Sequence, residues 1–423
     1  MYEAAVAGAA PGPLTAAALR DLPLSTSSRV WVYALGKAAH PMAAGAVAEL
    51  QRSLHTIVGG VLVAPAAGPA PHATIATLRG DHPLPARNSF TAAQRIGESA
   101  TAKRGDDVAI VLVSGGASSL AAAPLRGMSE RDLVQLFEVL LGSGLDVRAM
   151  NAVRKRFTRW GAGRLAIALA PARTHVLVMS DVIGDDAGDI GSGPCTPDVH
   201  TARDVVEILR GAVLLQRIPA AMRDYLADAS RGIVPETPKP SHPAFAHVTT
   251  RLIGSNRLAL DAMVRRAHAL AVPAEVVDRP LSGEASRCGV AIAEALLARA
   301  ESGQRGCVLW GGETTVRLGA DASARGGRCQ ELALAASRRL AQGSAAKRVT
   351  LLAAGTDGRD GPTDAAGAFA DGALWDEIVR SGQDPEHALA RHESYVALDA
   401  AGALLRRGQT GTNVMDVVIG VVE

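Results

Sequence analysis

Along the first half of the chain, short apolar runs alternate with longer stretches in which apolar residues recur every three to four positions. An unbroken apolar run fits a strand buried on both faces, and a three-to-four spacing fits a helix with one buried stripe. The runs at 29–36 (RVWVYALG), 56–65 (TIVGGVLVAP), 107–116 (DVAIVLVSGG) and 174–181 (THVLVMSD) are expected to be strands. Residues 37–54 and 88–105 read as helices, the second opened by Asn88 as N-cap. Another helix, over 129–144, starts on Ser129 with Asp132 three residues later, the spacing of a capping box. This alternation predicts a parallel sheet covered by helices on both faces.

The stretch 232–245 (GIVPETPKPSHPAF) holds four prolines and reads as a linker, dividing the chain into domains 1–240 and 241–423. Beyond it the pattern resumes with a strand at 248–256 and a helix, then a segment at 272–285 and a further helix. Residues 306–319 (GCVLWGGETTVRLG) read as a hairpin, 328–343 as a helix, 348–367 as a strand with a long polar loop, and 413–422 as a final strand.

Composition narrows the class. At 423 residues the chain exceeds one ordinary core, and 48% hydrophobic with 20% charged residues fits a globular protein. Aromatics are only 3%, so the core must be Ala, Val and Leu. The net charge of +2, without a basic run, argues against a nucleic-acid partner. Cys195, Cys288, Cys307 and Cys329 form no C-x-x-C pair, so neither a zinc site nor a disulfide framework is expected. The N-terminus lacks a basic leader and no apolar span reaches a membrane's thickness, so a cytoplasmic protein without membrane partner is expected.

Ligands of parallel sheets bind beyond the carboxyl ends of the strands, and unusual residues cluster there. Gly36-Lys37 follows the first strand; Trp31 and Ala38 rule out a Walker A loop. Lys37 is then either a phosphate contact or a solvated first-turn lysine. Ser114-Gly115-Gly116, with Ser118 and Ser119, could cradle an anion on backbone N–H groups, or simply turn. Asp181, Asp185, Asp186, Asp189 and Asp198 crowd one Gly-rich loop, either as donors of the type that Mg²⁺ takes alongside phosphate oxygens or as turn caps on a solvated loop. In the second half Glu313, Arg328 and Glu331 surround Gly-Gly pairs, and Asp357, Asp360, Asp364 and Asp371 follow a strand. An arginine with acidic loops is the equipment of phosphoryl transfer.

Nine segments in order resemble the class II glycerate 2-kinases, the family with a MOFRL C-terminal domain. They are ALGKAAHPMA, GDHPLP, VLVSGGASSL, SDVIGDDAGDIGSGPCTPD, LIGSNRLAL, GGETTVRL, GGRCQELALA, AAGTDGRDGPTDAAGA and TGTNVMD. The resemblance implies an α/β fold: two α/β domains around a deep cleft, the first a Rossmann-like parallel sheet, the second a mixed sheet. It implies ATP-dependent phosphorylation of D-glycerate at the 2-hydroxyl with Mg²⁺. Lys37 and Arg328 match the catalytic lysine and arginine, brought together when the cleft closes. Ser114, Gly115, Gly116, Ser118, Ser119, Asp181, Glu313 and Asp357 match nucleotide-binding positions, and Asp181, Asp185, Asp186 and Asp189 match metal positions. A homodimer is compatible with it. The sequence departs from the family's usual residues at Ala117 (Gly), Cys329 (Asn), His392-Glu393 (Asn-Asp) and Met415 (Asn). If Cys329 and Met415 line the pocket, a less polar or larger acid than glycerate is expected. The alternatives are an NAD(P)H-dependent hydroxypyruvate reductase, a label some members carry, and an inactive ligand-binding homologue.

Overall fold

A computed structural model describes residues 1–101, 103–318 and 324–423. They form two compact units, Pro11–Gly254 and Met1–Ala10 with Ser255–Glu423. The first holds six strands: β1 (Arg29–Leu35), β2 (Thr56–Ala64), β3 (Ile75–Arg79), β4 (Asp107–Val113), β5 (Arg173–Met179) and β6 (Val248–Gly254). Their order is β3-β2-β1-β4-β5-β6 and every pair is parallel. That is the strand order of the dinucleotide-binding fold, with its topological switch point between β1 and β4.

Both faces of this sheet are covered. Tyr33 and Leu35 of β1 pack with Ala92, Ala93 and Ile96 of the helix Arg87–Ala100. The alternate residues Val30, Val32 and Ala34 are equally buried on the other face. Small alanines at these contacts let helices approach closely, which is how so few aromatics make a core. A satellite cluster joins the helices Glu130–Leu141, Val147–Phe157, Ala202–Gly211 and Ala220–Ser230.

The second unit carries β7 (Ala274–Val276), β8 (Gly306–Gly312), β9 (Val349–Gly355), β10 (Gly367–Asp371), β11 (Leu404–Leu405) and β12 (Asp416–Val422), in the order β11-β10-β9-β12-β8-β7. β7 and β8 are parallel, and β12 runs antiparallel to both β8 and β9. Strands β7, β8 and β9 therefore point the same way and end on one side of the sheet. The helices Ala285–Glu301 and Arg328–Ala341 connect them and bury Ala285, Ile292, Leu296, Leu332 and Ala336 in the unit's core.

Three expectations are corrected. Residues 306–319 are not a hairpin: β8 pairs β12 and β7, and Gly319 lies outside the described residues. Gly311-Gly312 lies within β8, where a Cβ on Gly311 would meet Asn256 Oδ1 at 1.7 Å. Asn88 is not the N-cap of Arg87–Ala100, which is Ala86; Asn88 lies inside the helix and its backbone N–H donates to Asp81 Oδ2 at 2.9 Å. The proline-rich stretch 232–245 precedes β6, which pairs with β5, and the compact units divide after Gly254 rather than at 240. The Ser129–Asp132 capping box is present.

Candidate active site

The turns after β1 and β4 lock together at the switch point. Ser114 N–H donates to Leu35 O (3.0 Å), Lys37 N–H to Gly115 O (2.9 Å) and Ala38 N–H to Ser114 Oγ (3.0 Å). Gly36 has φ +125, and a Cβ there would meet Ser114 Oγ at 2.3 Å, so only glycine allows this approach. The lock fixes the backbone of Lys37 while its side chain stays exposed. A Cβ on Gly116 would meet His82 Cδ2 at 3.2 Å and Lys37 Cγ at 3.3 Å. A Cβ on Gly115 would meet Asp181 Oδ2 at 1.6 Å. Lys37, Ser114, Gly115, Gly116 and Asp181 thus lie together, with His82 beside them.

Surroundings set the protonation here. Burial pushes the Asp181 carboxyl above its ordinary range, and Lys37 opposes that shift. Crowding, with the charges of Lys37 and Arg154, holds the His82 imidazole well below its ordinary range, so the ring is neutral near pH 7. The Arg154 guanidinium lies over the Phe137 ring, 4.8 Å from its centroid, and its buried Nε has no hydrogen-bond partner. Ser118 bonds Ser192 (2.7 Å), and Ser119, buried, returns to Gly116 O (3.2 Å), so Ser119 faces inward.

The acidic loop after β5 divides by role. Asp189 lies 3.6 Å from both Lys155 and Arg148, and the buried Asp198 lies 3.9 Å from the same Lys155. These are ion pairs fastening the loop to the helix Val147–Phe157, whose Asn151 also donates to Asp189 O (2.7 Å). Asp186 accepts from Gly188 N–H (2.8 Å) and shapes its own turn. Asp185 has φ +55 and a buried Oδ1 without a partner. Among the described residues no group of three or more His, Cys, Asp or Glu is arranged to hold a metal. A cation that arrives with phosphate oxygens needs only one or two carboxylates, and Asp185 offers an unpartnered oxygen.

In the second unit Arg328 opens the helix Arg328–Ala341 and is gripped by two carboxylates. Its NH2 lies 2.8 Å from Asp416 Oδ1 and 3.0 Å from Glu313. Burial works against the charge, but Asp416 and Glu313 more than reverse this and keep the guanidinium protonated. Arg328 is therefore not a solvated surface cation. Asp360 accepts from the N–H groups of Cys329 (3.1 Å) and Gln330 (2.8 Å), capping the helix from a distant loop. Burial and the Asp416 charge push its carboxyl up to about 6. Asp357 accepts from Arg359 N–H at 3.0 Å, and Glu331 from His392 Nδ1 at 2.8 Å. His82 and Asp416 escaped sequence reasoning as site residues, whereas Asp360 was among the acidic residues singled out after a strand. GDHPLP and TGTNVMD contain His82 and Asp416, but only folding brings Asp416 beside Arg328, 88 positions away.

The chain's relatives can be set beside this geometry. Residues 1–227 match a domain model described as of unknown function (DUF4147), and 306–416 match the MOFRL family. A glycerate 2-kinase of Pyrococcus horikoshii is 34% identical over 93% of this chain and 87% of its own. The chain belongs to the glycerate 2-kinase family with a MOFRL domain. The crystal structure of a glycerate kinase from Thermotoga maritima superposes with a TM-score of 0.85 at 33% identity, covering 100% of this chain and 97% of that one. A protein of Agrobacterium vitis, named a putative hydroxypyruvate reductase, is 37% identical over 92% of this chain and 98% of its own. Among the described residues no helix is long and apolar enough to cross a membrane.

Within this family the departures acquire a physical meaning. Cys329 and Met415 are 2% and 5% exposed, so the expectation that they line an open pocket is not met; Cys329 packs in the core. Met415 has φ +68 and His392 φ +57, a left-handed conformation that asparagine tolerates better than most residues. The asparagine usual in the family at both positions suits that backbone.

Proposed function

We propose that this chain is an ATP-dependent kinase that phosphorylates the 2-hydroxyl of D-glycerate, or a related small 2-hydroxy acid, giving 2-phosphoglycerate. The observation that carries this reading is Lys37, presented at the switch point by a turn locked to Ser114 and Gly115. The glycerate kinases among its relatives point to the same chemistry. The hydroxyl oxygen forms the new bond to the γ-phosphorus, the bond to the ADP oxygen breaks, and the hydroxyl proton is lost. Lys37 and Arg328 neutralise charge on the transferring oxygens, where fixed cations lower the barrier most. Glu313 and Asp416 keep Arg328 charged and its planar fork oriented. The backbone of Ser114, Gly115 and Gly116, with Ser118, offers donors to phosphate oxygens. Magnesium, held by Asp181 and Asp185, would neutralise phosphate charge when bound.

The Agrobacterium relative's name favours a second reading, hydroxypyruvate reduction. The turn after β1 reads GKAAH and offers no G-x-G-x-x-G for a dinucleotide pyrophosphate. One pair of assays separates the two. ADP release with ATP, Mg²⁺ and a panel of 2-hydroxy acids including D-glycerate is expected, and NADH or NADPH oxidation with hydroxypyruvate, without ATP, is not. The reverse pattern would establish the reductase, and silence in both would leave a binding protein.

A further inference from the structure

A cavity of about 660 Å³ opens in the second unit between the loop after β7 and the first turns of the helix Ala285–Glu301. Its volume lies within the range of small-molecule sites, about 300–1,000 Å³. Its floor is apolar: Val277, Ile292 and Trp310. Its rim carries three arginines, Arg279, Arg287 and Arg317. Arg287 pairs with Glu284 at 3.2 Å, whereas Arg279 and Arg317 make no ion pair among the described residues. A second cavity of about 480 Å³ shares Val277, Ala295 and Trp310 and extends the groove along the helix. There the Glu275–Arg299 pair, at 2.8 Å, neutralises the charge. The groove therefore has one cationic end and an apolar middle.

The cationic end adjoins the residues proposed for catalysis. Leu281 N–H donates to Gly311 O (2.8 Å), and Glu313 N–H donates to Leu281 O (3.0 Å). Thr315 N–H donates to Gly283 O (2.8 Å) and Ala285 N–H to Thr315 O (2.9 Å). The cavity wall is thus stitched to the segment bearing Glu313, which holds Arg328 at 3.0 Å. All of this lies at the shared carboxyl end of β7, β8 and β9.

We propose that this groove seats the nucleoside portion of the phosphoryl donor, an adenine nucleotide, with Arg279 and Arg317 drawing its phosphates to the cationic end. A flat apolar base fits the Val277–Ile292–Trp310 floor, and an anion fits the two unpaired guanidinium groups. A nucleoside seat in the second unit accounts for a first sheet with dinucleotide-fold strand order but no glycine fingerprint. The inference rests on the kinase reading for its choice of ligand.

The test uses the full-length protein, with ADP binding by calorimetry and steady-state kinetics. The variants are Arg279→Ala with Arg317→Ala, and Ala295→Trp, which fills the groove from an exposed position. Each arginine lost should weaken ADP by about tenfold. Both variants should raise KM for ATP in parallel, with kcat at saturating ATP and KM for the acid within about twofold of wild type. Melting temperatures close to wild type exclude unfolding as the cause. ADP affinity and KM for ATP unchanged in both variants would overturn the proposal, even in an active kinase. If no acid is phosphorylated but ADP still binds and both variants lose it, the groove stands and the kinase reading falls.

Discussion

Lys37 and Arg328 are both cations at strand-to-helix junctions, yet the structure treats them differently. Lys37 projects into solvent from a fixed backbone, and Arg328 sits between Glu313 and the almost fully buried Asp416. Lys37→Ala should leave the melting temperature nearly unchanged and lower kcat by about 10² to 10³, the typical cost of one preorganised group. Arg328→Lys keeps the charge but cannot make the two-pronged contact with Asp416, so kcat should fall similarly and the melting temperature by a few degrees. Circular dichroism melts beside steady-state kinetics check both. Near wild-type kcat in either variant would remove that residue from the mechanism. The lysine and arginine were legible as candidates because each follows a glycine where a helix is expected to begin. Asp416 was not, since its ion pair with Arg328 joins two elements that only sheet formation brings together.

Elements were readable where the hydrophobic period is strong and unreadable where glycines serve close packing. Strands β1, β2, β4, β5, β9 and β12 coincide with apolar runs. β3 went unnoticed because its IATLR is short and only half-buried. Gly311-Gly312 lie within the hairpin expected over 306–319, yet these glycines admit Asn256 and the backbone of Leu281. Helix ends carry a further irregularity. The helix Ala202–Gly211 ends with Leu214 N–H donating to Leu209 O (2.8 Å), and Val213 takes φ +58. This is a Schellman closure, where glycine is the usual occupant and a β-branched residue is strained. Val213 is 82% exposed, so removing its side chain forfeits little packing. Val213→Gly should stabilise the protein by about 1 kcal/mol, read as a rise in melting temperature of roughly 1–2 °C. A fall would show that the valine contributes packing in a conformation other than the one described.

At the scale of the molecule, both sheets gather their candidate residues at strand carboxyl ends. In the first, the topological switch point brings the β1 and β4 turns together and sets Asp181 against Gly115. In the second, an antiparallel β12 lies between β8 and β9 and delivers Asp416 to Arg328. The alternation of strands and helices made the first arrangement legible in sequence. The second was not, because the strand that completes it comes last in the chain yet lies mid-sheet. Phosphoryl transfer to the 2-hydroxyl of a small hydroxy acid is decided by phosphorus NMR of the products formed from ATP, Mg²⁺ and D-glycerate. Equal amounts of ADP and 2-phosphoglycerate are expected; 3-phosphoglycerate would overturn the proposed position, and ATP left intact with every acid tried would overturn the proposed kinase.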